Sequence, residues 1–271
     1  MLTPHPSAAL EYWFFKVNSG PIAVLADWIA RRNTNQNWLR ISIHSPYKRE
    51  VVAEKLVELM PQDNFLSMQR TMGQIGDLAW ELDINSGEDF IQPDIFPLGL
   101  LRITDLLLLS APQAHFTGWI RHGEQKFMLK NAPGMISHYW GRQLASDWWW
   151  ISANQFDQKD ISIECSFFHT SLWGSPIKAS FAYLYLCHDD KKELVMAPSG
   201  MVSIKGTCEN FTLRINRIGK EPIFLKGTGR DYGDLGDRIF NTLTGDLEIR
   251  IGNKLIARAQ GTAGIEYRSP T

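Results

Sequence analysis

Asp147-Trp148-Trp149-Trp150-Ile151-Ser152-Ala153-Asn154-Gln155-Phe156 holds three of the chain's 10 tryptophans in consecutive positions. Side chains alternate across a strand, so period two puts Trp148, Trp150, Ser152, Asn154 and Phe156 on one face. Trp149, Ile151, Ala153 and Gln155 fall on the other. A helix of this composition would spread its indoles around the axis, whereas a strand sorts them into an apolar face and a face that mixes rings with small polar groups. Each indole is then either a packing residue, burying about 150–250 Å², or the wall of a pocket in which Ser152 and Asn154 orient an extended apolar ligand. Buried Asn and Ser side chains need partners that a purely structural core seldom supplies, which favours the pocket for the set as a whole.

The same pattern extends in both directions. Short runs of β-branched and aromatic residues, bounded by turn residues, recur at Tyr12 to Val17, Ile22 to Ile29 and Trp38 to His44, and on to Leu255 to Ala259. Phe211-Thr212-Leu213-Arg214-Ile215-Asn216 alternates strictly, and Asp246 to Ile251, Gly252-Asn253 and Lys254 to Ala259 form a terminal hairpin. Lys48 to Met60 fits a helix or an extended arm, and we read it as strand. The expected fold class is all-β, and barrels close the edges of so many strands most completely. Length permits two barrel-sized domains. Asn85 to Gly99 is rich in breakers and reads as a linker or a loop over a barrel mouth. The boundary is placed near Ala132-Pro133-Gly134, where a new aromatic block opens, which gives domains of residues 1–134 and 135–271.

With 28 basic and 29 acidic residues the formal charge is -1, so no global field draws the chain to nucleic acid or anionic lipid. The opening MLTPHPSAALEYWFFKV lacks a basic-then-apolar leader, and no apolar run approaches the length of a membrane span. Cys165, Cys187 and Cys208 are odd in number and far apart, which predicts neither disulfides nor zinc, and the expected setting is reduced and cytoplasmic. His115, His169 and His188 have no metal-ligand spacing and read as satisfied histidines. Gly227 to Gly236 is glycine-rich without a following Lys-Ser/Thr, so it reads as a loop whose Arg230 and Asp231 rim a pocket.

Glu11-Tyr12-Trp13-Phe14-Phe15-Lys16-Val17 is a second aromatic strand, in which Trp13 or Phe14 plugs a barrel end. Glu11 reads as an exposed glutamate; placed among the rings, it would be an acid.

Three stretches carry a family resemblance. Phe116-Thr117-Gly118-Trp119-Ile120 leads through a hairpin to Lys130-Asn131-Ala132-Pro133; Trp140-Gly141-Arg142-Gln143-Leu144 precedes the tryptophan run; and the chain opens on its aromatic strand. The chain resembles the superfamily of tocopherol cyclase, carotenoid 1,2-hydratase (hydroxyneurosporene synthase) and the lipocalin-like Diels–Alderases. The resemblance implies two successive lipocalin-like (calycin) barrels, a pocket at or near their junction, and no metal or organic cofactor. It departs where tocopherol cyclases place Glu-Lys-Asn before Trp-Gly: here Ser137-His138-Tyr139 stand there, and the expected acid is absent.

The expected function is a cofactor-free cyclase, resembling a Diels–Alderase, that folds a linear polyene, polyketide or prenylated substrate. His138, Tyr139 and Glu11 are its candidate catalytic residues, and Trp13, Trp140, Arg142, Trp148, Trp150, Ser152 and Asn154 its binding residues. Acid-catalysed hydration or cyclisation of an isoprenoid is the alternative, with Glu11, Asp27 or Asp147 as acid. A carrier without chemistry is the third reading, and what separates it is whether a group able to act as acid or to activate a carbonyl lies among the rings. The expected partner is the hydrophobic small molecule alone, the protein being a monomer or weak homodimer.

Overall fold

The computed structural model describes residues 5, 8–45, 49–87, 90–91, 106–141, 145–171, 178–189, 191–198 and 200–269. The chain divides into two compact units, Met1–Gln92 with Asp105–Leu144, and Pro93–Thr104 with Ala145–Thr271. Both are built from β-strands, and the described residues contain one single-turn 3-10 helix, Arg32–Thr34.

The first unit is one antiparallel sheet. Its strands are β1 (Leu10–Ser19), β2 (Ile22–Arg31), β3 (Gln36–His44), β4 (Arg49–Leu56), β5 (Phe65–Leu66), β6 (Arg70–Ile75), β7 (Leu78–Asn85), β8 (Leu106–His122) and β9 (Gln125–Gly141). They run in the order β4-β3-β2-β1-β9-β8-β7-β6-β5, so the first strand lies against the last. Of the Lys48 to Met60 stretch, Arg49–Leu56 is strand, and its described residues contain no helix.

One face of this sheet carries the core, in which Trp13, Phe15, Trp28, Leu39, Phe116 and Ile136 are buried together. Rings interlock there: Phe15 lies 5.5 Å from Phe116, and Trp28 meets Trp80 edge-on at 6.0 Å. Trp80 Nε1 donates to Thr71 Oγ1 at 3.0 Å, which satisfies the one polar atom that this indole brings inside. Trp13 is a core residue, fully buried, and the adjacent Phe14 points to the other face.

The second unit comprises β10 (Asp147–Ala153), β11 (Ser162–Ser171), β12 (Lys178–His188), β13 (Lys191–Pro198), β14 (Val202–Gly206), β15 (Asn210–Arg217), β16 (Lys220–Thr228), β17 (Gly233–Asp234), β18 (Ile239–Ile251) and β19 (Lys254–Arg268). The order is β13-β12-β11-β10-β19-β18-β16-β15-β14, with β17 on β18. Again the first strand pairs with the last. The expected terminal hairpin is β18 and β19, turning at Gly252-Asn253 with Ile251 opposite Lys254.

In β15 the alternation holds, with Phe211, Leu213 and Ile215 buried. They join Ile151, Ala153, Ile163, Cys165 and Leu184 in the apolar core, and Trp149 packs against it. The alternation of β10 stops with the strand at Ala153. Phe156, expected on the Trp148 face, packs instead against the core cluster, because the chain has left the pleat before reaching it.

The three cysteines are free, and among the described residues no helix is long and apolar enough to cross a membrane.

Candidate active site

Around β1 and β2 in the first sheet and around β10, β11 and β12 in the second, the face opposite the apolar core is also largely closed to solvent and carries polar groups. In the first unit β-pairing lays that face out in rows. One row runs Ser110, Ser137, Phe14, Asp27, Arg40 across β8, β9, β1, β2 and β3; the next runs Met135, Lys16, Leu25, Ser42; on the other side lie Leu108, Tyr139, Tyr12, Ile29, Trp38. Asp27 Oδ2 accepts from Arg40 Nε at 2.8 Å and Nη2 at 2.7 Å, so two buried charges neutralise each other. Burial still holds the Asp27 carboxyl above the usual range, against the pull of Arg40, and pushes the Tyr12 phenol up. Lys16 is buried to 1% exposure, and desolvation lowers its ammonium to about 7. Tyr139, a candidate catalytic residue, belongs to this face and stacks on Phe14 at 5.9 Å.

Glu11, His138, Trp13 and Trp140 are brought together on the core side of the same sheet. Glu11 pairs with Trp140 in the β1–β9 register and Trp13 with His138. His138 stacks on Trp13 at 4.7 Å and lies 4.7 Å from Trp140, while His5 stacks in parallel on Trp140 at 4.3 Å. The exposed Glu11 expected from sequence is corrected: it is fully buried. Three contacts explain why. The Arg32 guanidinium, delivered by the 3-10 turn, pairs with Oε2; the His5 backbone N–H donates to Oε1 at 2.6 Å; and His138 Nε2 lies 3.5 Å from Oε1.

His5, Glu11 and His138 hold their ligand atoms within 4.8 Å of one another, a spacing that would suit a metal ion. The same carboxylate already carries Arg32, whose positive charge opposes a cation there, so the chemistry of the set fits an ion-pair network better.

In the second unit the face opposite the core bears the sequence-predicted Trp148, Trp150 and Ser152. Their rows run Glu266, Trp150, Ser166, Tyr183 and Gly264, Ser152, Glu164, Tyr185 across β19, β10, β11 and β12. Glu164 is fully buried. Its Oε1 accepts from Tyr183 Oη at 3.0 Å and from Trp150 Nε1 at 3.4 Å, and Ser166 Oγ donates to Tyr183 Oη at 3.3 Å. Glu266, the partner of Trp150 in register, accepts from Trp148 Nε1 at 3.0 Å and from Asn241 Nδ2 at 3.4 Å. Burial beside Glu164 pushes the neighbouring Cys165 thiol up. Two carboxyl groups thus flank the indoles of β10. Asn154 lies just past the strand end and is half-buried, and Arg142 lies outside the described residues. Asp147, another candidate acid, is paired with His169.

Sequence reading missed Glu164, Tyr183, Glu266, His5 and Arg32. Period two would have put Glu164 on the same face as Ser162 and Ser166, but only cross-strand register sets it against Ser152. Arg230 and Asp231 do line a cavity of about 560 Å³, together with Cys208, Tyr232 and Tyr267. Tyr232 Oη donates to the Cys208 carbonyl there at 2.6 Å.

No family model and no curated protein matches the sequence. Among solved structures the chain is similar to kievitone hydratase from Nectria haematococca, with a TM-score of 0.68 at 12% identity over 99% of this chain and 91% of that one. It is also similar to CghA in complex with Sch210972, with a TM-score of 0.66 at 10% identity over 97% of this chain and 89% of that one. The all-β, lipocalin-like fold expected from the sequence is therefore the fold that this chain shares with these solved structures.

Proposed function

We propose that this protein is a cofactor-free enzyme of the hydratase and cyclase kind, acting on an unsaturated apolar small molecule, with Glu164 as its proton donor. The observation that carries the reading is the Glu164 carboxyl, fully buried, held by Tyr183 and Trp150 and sharing a face with Trp148, Trp150 and Ser152. A carrier needs rings alone; a buried carboxyl among rings is the group that separates a catalyst from a carrier.

Proton transfer from Glu164 to a substrate double bond leaves a carbocation, which the π faces of Trp148 and Trp150 stabilise electrostatically. Water or an internal hydroxyl then attacks the cation through oxygen and gives up its proton to the Glu164 carboxylate, which restores the acid, and Ser152 orients the chain. Buried polar groups fixed in advance do this without reorganising. The name of one structural neighbour, a hydratase, supports the same class. In the first unit, His138 with Glu11 behind it and Trp13 and Trp140 around it is a second proton-handling pair on the core side of the sheet, and the hydroxyl of Tyr139 belongs to the opposite face. Asn154 and Arg142 remain proposed substrate contacts.

The test is turnover of linear probes, a prenylated hydroquinone and an acyclic carotene, in D₂O. Acid initiation places one deuterium on carbon, and Glu164→Gln lowers the rate by about 100-fold or more while β-sheet circular dichroism is kept. A pericyclic reaction, in which His138 or Tyr139 only polarises a carbonyl, gives product without deuterium and keeps its rate in Glu164→Gln. Probe bound but recovered unchanged by wild type makes the protein a carrier.

A further inference from the structure

The first sheet also carries a serine, a histidine and a glutamate that the proposed proton transfer does not use. β3 ends at His44 and β4 begins at Arg49, so Ser45 and Glu50 flank one turn, while His122 is the last residue of β8. Cross-strand partners share a face of a sheet. Glu50 pairs with Ile43 and His122 with Leu78, both members of the apolar core, so glutamate and histidine stand on the core side, at the end of the sheet where the β3–β4 and β8–β9 turns lie. There His122 bridges the other two: its Nδ1 lies 3.2 Å from Ser45 Oγ and its Nε2 lies 3.2 Å from Glu50 Oε2. The imidazole is 7% exposed, the carboxylate 29%, and Ser45 is half-buried, so the base is sheltered while the hydroxyl meets solvent.

An ionised carboxylate can only accept, so the proton between it and the ring sits on Nε2, and the lone pair of Nδ1 faces the serine hydroxyl. A hydroxyl donating to a neutral imidazole whose other nitrogen is held by a carboxylate supplies the nucleophile, base and orienting group of acyl transfer. That arrangement is recognised by geometry and not by position in the chain.

We propose that Ser45, His122 and Glu50 form an acyl-transfer site that hydrolyses esters of short apolar acids. Ser45 Oγ attacks the carbonyl carbon as its proton passes to His122 Nδ1, and the carbonyl π pair moves to oxygen. That pair returns, the C–O bond to the alcohol breaks, and the leaving oxygen takes the proton from Nδ1, which leaves the acyl group on Oγ. Water then adds to the acyl carbon with Nδ1 as base, the acid departs, and Ser45 recovers its proton. Ester and water give acid and alcohol, and no oxidant or reductant enters. Glu50 is a positioning residue: it holds the ring tautomer and faces the imidazolium that each half-reaction passes through. The acyl class follows from Ile43 and Leu78, the apolar partners of Glu50 and His122.

A structural latch and a proton relay share these distances and differ in reactivity. The experiment therefore incubates the folded full-length chain with an alkyl fluorophosphonate and maps the adduct by peptide mass spectrometry, with fragmentation that tells Ser45 from the buried Ser42. Hydrolysis of p-nitrophenyl butyrate gives kcat and KM. The expected result is one dominant adduct on Ser45, and hydrolysis that falls at least about 100-fold in Ser45→Ala and in His122→Gln, whose amide can keep both contacts but cannot act as base. Glu50→Gln is expected to lower kcat about tenfold or more with KM unchanged, a split that a latch would not produce. An unlabelled Ser45, or hydrolysis that survives in Ser45→Ala, overturns the proposal and leaves the three residues as a latch between two turns. The wild-type map decides by itself if a variant fails to fold.

Discussion

Lys16 is buried to 1% exposure and gives its sheet a pH signature. For Lys16 the folded-state value, about 7, lies below that of an unfolded lysine near 10.5, so between those limits the unfolded chain binds more protons. Stability then rises with pH through that window, by up to about 1.4 kcal/mol per pH unit from this residue. Urea unfolding of wild type and Lys16→Met at pH 7, 8 and 9 checks this: the variant is expected to show the shallower slope, and parallel slopes would refute the assignment. Glu11 shows how little a single residue's neighbours in sequence reveal. Beside Tyr12 and Trp13 it reads as a solvated end of strand, yet Arg32, 21 positions later, and His138 convert it into the centre of a buried network. Those partners arrive through a turn and through pairing of the first strand with the ninth, neither of which leaves a local mark. Glu11→Ala is expected to cost about 1–3 kcal/mol, by leaving donors unmatched, with little change in sheet content. Thermal unfolding followed at 218 nm measures it.

At the scale of elements, the legible part was wherever alternation ran uninterrupted. Trp149, Ile151 and Ala153 separated from Trp148, Trp150 and Ser152 as period two requires, and β15 and the β18–β19 hairpin were equally plain. Irregularity was invisible. Asn154 and Phe156 continue the pattern on paper although the strand has ended, and β8 shifts register against β9 between Phe116 and Gly118. Gly118 sits there at φ +144°, with the place of a Cβ only 2.2 Å from the Glu81 carbonyl oxygen. That backbone approach permits no side chain. Gly118→Ala is therefore expected to destabilise by about 1–3 kcal/mol; a melting temperature equal to that of wild type would show that the bulge relaxes.

Across the whole molecule, both units close the same way, initial strand against final strand, β1 on β9 and β10 on β19. The ladders that join distant parts of the chain also border the buried polar faces, so the most cooperative structure surrounds the proposed chemistry. Native-state hydrogen exchange is expected to protect amides of β1, β9, β10 and β19 longest, and those of the two-residue β5 and the exposed β14 least. Equal protection at centre and edge would contradict that order. The fold class was readable because composition and alternation act along the chain. The pairing order was not, because which strand becomes the neighbour of the first is decided by closure of a sheet over more than a hundred residues.

The sealing of Glu164 has a temporal consequence. A carboxyl with no exposed surface cannot meet a dissolved molecule by collision alone, so a visitor waits for the protein to breathe and then waits again to leave. Exchange at such a surface is paced by opening of the fold on microseconds to seconds, and not by diffusion. Association should therefore saturate with concentration, and occupancy reached in a brief mixing experiment will understate the affinity attained after long equilibration.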